Sequence, residues 1–486
     1  MKRTILTFAL ATAMTPALAA DPPQLTVYSG DYDAVARSTP MPGGPGFALY
    51  ETVVSFELAA GDNIESIGGL PTALDAGSVR LQPRGDARVR GQRFDFAIAG
   101  QDDLLRRAVG HTITVEQDIG GTRRTQTGEL LAAGNGLTLR MPDGRIKVLS
   151  SYSGFELPDL PGGIVAEPTL TWTIDAARAG TQAFDLAYAS AGLGWRAEYQ
   201  ADVEGQGRAC RMDFDGAAMV ANRSGADFSG VALTLVAGEP NRVDNGTAMM
   251  AKAERAQMMV ADAAVAPTAS GEYHAYRLPG TGDLPQDSVQ RLPLIDPARG
   301  VPCERRYETR APIGGWVPPH PIVEPGFAGE GGEQPVTASL RFRNREADGL
   351  GVPLPAGRVR VFDGGELLGE STIAHTPADR DLTLTVGTVF DLTATRTRVD
   401  FAVDRPGRTM TEKVRVTLHN AKPQAATVHV VEPLPRWSDW EIVESTVAPE
   451  KRDAQTAAFA VEVPANGERV LEYTVRYRWA PDIRIP

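Results

Sequence analysis

The stretch GLGWRAEYQADV, residues 192–203, decides the fold class by its period. Trp195, Ala197, Tyr199, Ala201 and Val203 alternate with Arg196, Glu198, Gln200 and Asp202. A period of two belongs to an extended strand with one face in a core and the other in water. The same pattern recurs on both sides. Leu170, Trp172 and Ile174 alternate with threonines, and Leu471, Tyr473, Val475, Tyr477 and Trp479 alternate with Glu472, Thr474, Arg476 and Arg478. Helical periodicity is scarce, with candidates only at 102–108 and in the Ala/Met-rich stretch 248–264. The expected class is all-β, with several domains built as antiparallel β-sandwiches.

Turn residues punctuate these runs. Asp143-Gly144, Asp363-Gly364-Gly365 and Asn466-Gly467 each stand between two alternating segments, which is the sequence signature of a hairpin. Residues 21–165 form a first expected domain, in which 109–151 reads as four or five short strands that fit a small barrel. Residues 166–310 form a central β domain with a flexible insert at 247–271. The insert carries Met249, Met250, Met258 and Met259 without Cys or His, so it reads as a solvated or weakly amphipathic segment rather than a soft-metal site. A Pro/Gly-rich linker spans 311–334, and 335–482 reads as about nine strands of an immunoglobulin-like sandwich.

The beginning of the chain has the form of a signal peptide over residues 1–20. Lys2 and Arg3 precede an apolar run from Ile5 to Met14 that is too short to span a bilayer, and Ala17-Leu18-Ala19 fits a cleavage site. A membrane anchor is the less favoured alternative, because the apolar run stops at Pro16. No Cys follows that run to invite lipoprotein processing, and no later segment has the roughly 20 apolar residues of a spanning helix. The expected location is the periplasm or another exported site of a bacterial envelope. The net charge of −12 argues against nucleic acid and anionic membranes as partners, since there is no cationic excess to release counterions. The two cysteines, Cys210 and Cys303, are expected to form a structural disulfide in such a compartment, with two separate thiols as the alternative.

The known chemical motifs are missing. There is no G-x-S-x-G, no S-x-x-K, no H-E-x-x-H, no P-loop and no dinucleotide fingerprint. The six histidines (His111, His274, His320, His375, His419 and His429) are scattered, with none at i, i+2 or i, i+4. Accordingly no catalytic, cofactor-binding or metal residue is assigned, and no cofactor is expected. Paired carboxylates need only the fold to bring them together, so they remain an open route to hydrolysis. Asp213/Asp215 and Asp439/Glu441 are such pairs, more simply read as solvated strand-face charge. Trp437, Trp440 and Trp479 read as core aromatics before they read as sugar-stacking platforms.

Several segments, in order, resemble the bacterial family known as domain of unknown function 4139. They are GLGWRAEY (192–199), NRSGADFSGVALTLVAGEP (222–240), EYHAYRLP (272–279), RLPL (291–294), GVPLPAGRVRVF (351–362), GESTIAHTP (369–377) and VGTVFDL (386–392). The resemblance covers roughly 165–480, with looser likeness at SVRLQ and LLRRAVG further upstream. The family is distantly similar to the mucoidy inhibitor proteins, whose coiled-coil-like stretch this chain lacks. The resemblance implies an all-β, largely bacterial and often exported protein, and supplies no reaction to transfer. Read physically, its residues are structural. Gly192 and Gly194 shape a turn, Trp195 and Tyr199 anchor a core, and His375, Thr376 and Pro377 close a strand.

The leading expectation is an exported cell-envelope protein that binds or scaffolds an envelope component, whether protein or polysaccharide, without catalysis and without a transmembrane segment. The rival is a hydrolase acting on an envelope polysaccharide through a fold-assembled carboxylate pair. An outer-membrane β-barrel is a third idea, opposed by the polar alternate faces and the non-aromatic end Arg484-Ile485-Pro486.

Overall fold

The structure is a computed structural model and describes residues 21–95, 100–159, 167–205, 207–238, 268–270, 273–312, 318–327, 331–483 and 485. The expected signal peptide, the four insert methionines and the whole helix candidate at 248–264 lie outside these residues. The described chain is all-β, with antiparallel sheets dominant, short α-helices at Tyr32–Val35 and Gln101–Arg107, and single 3-10 turns at Ala76–Ser78 and Glu346–Asp348. No described helix is long and apolar enough to cross a membrane. Two compact units are present. The described parts of 1–194, 221–253 and 277–289 form the first, and those of 195–220, 254–276 and 290–486 the second.

In the first unit, five strands lie side by side in the order Phe228–Ala237, Gln24–Tyr28, Ala48–Leu58, Gly180–Ser190, Arg80–Pro83. A three-stranded sheet, Gly61–Ile67, Thr169–Ala176 and Arg88–Asp95, contributes the opposite wall of a sandwich core. The alternation at 170–174 explains the contact. Leu170, Trp172 and Ile174 are fully buried in one cluster with Phe56, Phe184 and Leu186. The strands expected over 109–151 are present, but they do not close a barrel. They form an open meander in the order Gly154–Glu156, Thr112–Ile119, Thr122–Gly134, Gly136–Arg140, Ile146–Leu149. Leu105 and Ala108, from the short helix Gln101–Arg107 and its end, help cover its apolar face, so closure is not needed to bury that face.

The second unit holds one long twisted sheet in the order Glu366–Ile373, Gly357–Asp363, Leu193–Glu204, Ala209–Asn222, Ser288–Arg310, Gly331–Arg343, Asp381–Asp404, Thr409–Asn420, Gly467–Arg478, Trp440–Ser445. A second layer starts where the end of Ser288–Arg310 pairs in parallel with Ala426–Pro433, which pairs in turn with Thr456–Val463. Val414, Val416, Leu471, Tyr473 and Val475 from one layer and Val428, Val430, Phe459 and Val461 from the other share a dry core. Two of the three expected hairpins form, at 143–144 and 363–365. The Asn466-Gly467 turn does not make one. It passes the chain from Thr456–Val463 in one layer to Gly467–Arg478 in the other. Both strands have an apolar inner face, and these faces pack on each other, as the Phe459–Tyr473 ring stack at 5.0 Å shows.

Candidate functional site

Each singled-out residue has a definite place. Gly192 has φ +78°, and a Cβ there would sit 2.4 Å from the Arg223 carbonyl oxygen, so the turn accepts only glycine. Gly194 lies close to Val35, with room for a Cβ only at 3.2 Å. Trp195 is buried edge-on to Tyr276. The buried Tyr199 stacks on Phe214 and donates its hydroxyl to the Pro355 carbonyl. His375 is exposed, and its Nδ1 accepts from the Ala356 backbone N–H. Thr376 makes an isolated bridge to Leu354, and the Pro377 carbonyl accepts from the buried Asn344 side chain. Cys210 and Cys303 are joined in a disulfide.

Three of the flagged carboxylates face arginines. Asp213 accepts from Arg299 and from the Gly300 N–H, Asp215 faces Arg291, and Glu441 is held by Arg476 and Arg478. Trp440 and Trp479 are buried, and Trp437 packs partly buried against the same core.

Sequence reasoning missed three arrangements. First, Leu193–Glu204 pairs in parallel with Gly357–Asp363, which places Glu198 among Arg196, Arg358 and Arg360. That close pairing requires Gly357, where a Cβ would meet the Ala197 carbonyl oxygen at 2.4 Å. Second, three fully buried asparagines at or just beyond strand ends (Asn222, Asn344 and Asn420) each fasten the following loop through side-chain bonds to backbone groups. Third, two ion pairs lie inside the C-terminal sandwich. Arg396 and Tyr473 both donate to Glu432, and Arg436 donates to Glu412 and to the Ile322 and Glu324 carbonyls. Burial first, and the Glu432 carboxylate second, push the Tyr473 phenol well above its ordinary range, so it stays a donor. The Arg436 bonds also secure the described part of the Pro-rich stretch.

One concave site is lined by more cations than carboxylates, although Arg305 is paired with Asp363. It is a cleft of about 100 Å³ in the second unit, lined by Arg208, Arg305, Arg306, Lys422, Tyr307 and His429, with Glu304 as its one carboxylate. The disulfide shapes one side. Cys210 and Cys303 tie Ala209–Asn222 to Ser288–Arg310, and one step away the Arg305 N–H donates to the Arg208 carbonyl at 2.7 Å. The Arg208 guanidinium pairs with Glu304 at 2.7 Å. Asn420 shapes the other side, because its side chain accepts from the Lys422 N–H and fixes the turn that carries Lys422. The Lys422 ammonium donates to the Tyr307 hydroxyl at 3.3 Å.

The electrostatics follow from this crowding. Burial opposes the charge on Glu304, yet Arg208, with Arg306 and Arg341 behind it, holds the carboxyl below its ordinary range. Burial and the positive charges of Arg306 and Arg452 hold the His429 imidazole below its ordinary value. The Arg306 Nε is buried with no hydrogen-bond acceptor among the described residues. A larger, more open hollow of about 320 Å³ in the first unit contains Arg84 and Arg178, but each has its own aspartate, Asp185 and Asp86, so no charge is left over. Among the described residues no cluster of three or more His, Cys, Asp or Glu is arranged to hold a metal ion.

These features define a disulfide-stapled, multidomain β-sandwich protein with a cationic cleft. The profile of the family described as "Domain of unknown function (DUF4139)" matches residues 184–481, and the chain belongs to that family. No curated protein matches the chain.

Proposed function

We propose that this is an exported protein of the bacterial cell envelope that acts by binding an envelope component rather than by catalysis. The observation that carries the binding reading is the cleft at Arg208, Arg306 and Lys422, a concavity in which cations outnumber carboxylates. In a chain with a net charge of −12, such a local reversal of sign gives a ligand a preferred place to dock. The Cys210–Cys303 disulfide supports the exported location, since such bridges persist in oxidising compartments. The hydrolase reading has less support, because the carboxylates that would serve it are held by arginines at the strand surface. Fractionation of the native host, with crosslinking of the periplasmic extract, tests the proposal. The expected result is a processed, oxidised protein crosslinked to envelope material. A cytosolic protein with two free thiols refutes it.

A further inference from the structure

We infer that the cleft between Arg208, Arg306, Lys422 and His429 is a binding site for a phosphate-type oxyanion group carried by the ligand. The inference rests on the binding reading above and names the ligand chemistry. Three separate chain segments supply the donors: the residues leading into Ala209–Asn222, the strand Ser288–Arg310, and the turn and strand that follow Asn420. An anion between them meets donors from several directions, which suits a tetrahedral phosphate group better than a planar carboxylate. A space of about 100 Å³ holds one such group or a few waters, not a sugar ring with its substituents.

The donor inventory is matched to this task. Arg306 is about a third exposed; among the described residues its only carboxylate contact is Glu304 at 4.0 Å and its buried Nε has no acceptor. Lys422 uses one N–H on Tyr307, which leaves two for a ligand. The groups acting on His429 are Arg306, Arg452 and Arg208, all positive, with Glu308 as the opposing charge. A bound anion opposes that positive charge, so it draws a proton onto the imidazole and gains a further donor. Binding weakens with salt. The rigid frame made by the disulfide and Asn420 holds the cations together before the ligand comes, which lowers the ordering cost.

The test uses the full-length oxidised protein and inorganic phosphate as probe, titrated by calorimetry at constant ionic strength against chloride and glucuronate. Phosphate is expected to bind, and glucuronate to bind more weakly. Arg306→Gln and Lys422→Gln should each weaken phosphate binding about tenfold. Should either variant fail to fold, the wild-type His429 ring signal in NMR decides instead, since phosphate must raise its titration midpoint. The source of the group is then separated with a phosphorylated oligosaccharide in one arm and phosphatidic acid vesicles in the other. Phosphate binding no better than chloride, or an unmoved His429 midpoint, overturns the inference. That outcome in a protein shown to be exported leaves the envelope-binding reading intact, whereas phosphate binding by a cytosolic protein does the reverse.

Discussion

Reducing the Cys210–Cys303 bridge is the most informative perturbation of the fold. The bridge closes a loop with a sequence separation of 93 residues, and both cysteines lie in the second unit with their Cα atoms 4.9 Å apart. For a loop of that length the chain-entropy model gives a stabilisation of about 4–5 kcal/mol, nearly all of it exerted by restricting the unfolded chain. The folded contacts around the bridge are independent of it, because Ser288–Arg310 also pairs with Gly331–Arg343 through seven residue positions. Reduction should therefore leave the native spectrum nearly unchanged and lower the stability of the second unit, in which both cysteines lie. With a urea dependence of about 2–3 kcal/mol per molar, the midpoint should fall by about 2 M. Tryptophan emission is a suitable readout, since Trp195, Trp440 and Trp479 are buried in the second unit and Trp172 in the first. Oxidised and reduced wild type are compared, with C210A/C303A as a thiol-free control. Coincident midpoints for the oxidised and reduced forms would refute the reasoning, as would a loss confined to the Trp172 transition.

Other substitutions probe separate links. Glu432→Gln leaves the buried Arg396 without its counter-charge and removes the charged acceptor of Tyr473, so a loss of about 3–5 kcal/mol is expected in chemical denaturation. A change below about 1 kcal/mol would mean that the pair is not buried as described. Asn344→Ala strips three bonds to the Gly351, Val352 and Pro377 backbone and should cost about 2–4 kcal/mol, with faster amide exchange across 349–353. Gly192→Ala forces a left-handed backbone and a clash with Arg223, so thermal denaturation should show a loss of at least about 2 kcal/mol in the first unit. The pH dependence at His429 has a fixed sign. Its folded pKa is depressed, so the unfolded chain takes up the proton first as pH falls. Its contribution is whole above the ordinary value of 6.5 and is lost as pH falls through the folded value. Between pH 7 and 5, wild type should lose more stability than His429→Gln, and equal slopes would contradict the assignment.

The charge pattern gives the second unit two kinds of polar group. The Arg396–Glu432 and Arg436–Glu412 pairs are buried in the sandwich and held by one another, by Tyr473 and by backbone carbonyls, with Glu432 Oε1 left without a partner among the described residues. They fix the packing and offer nothing to a ligand. The cleft cations keep part of their surface in solvent, and only Glu304 stands among them. Glu432 of a buried pair and His429 of the cleft lie on the same strand, Ala426–Pro433, so the packed core holds part of the cleft lining in place.

Local order in this chain is set by the sequence alone. The period of two at 170–174, 195–203 and 471–479 determines strands and their buried faces, because successive side chains must point to opposite sides of a strand. Asp143-Gly144 and Asp363-Gly364-Gly365 determine their hairpins, since the turns need the left-handed conformations that glycine adopts freely. The GLGWRAEY and GVPLPAGRVRVF segments carry the family resemblance without revealing that they are neighbours. Tertiary structure decided that they pair in parallel, 160 residues apart, and so surround Glu198 with arginines. It also decided that Asn466-Gly467 changes layers, that the 109–151 strands stay open, and that Lys422 and Arg306 face one cleft. Alternation shows which face of a strand is buried but not which strand it meets, because any apolar face can be covered by any other of matching shape. The cysteines were visible from the start as a pair suited to an oxidising compartment. Only the fold shows that their bridge sits beside the cleft and holds Arg208 to its rim.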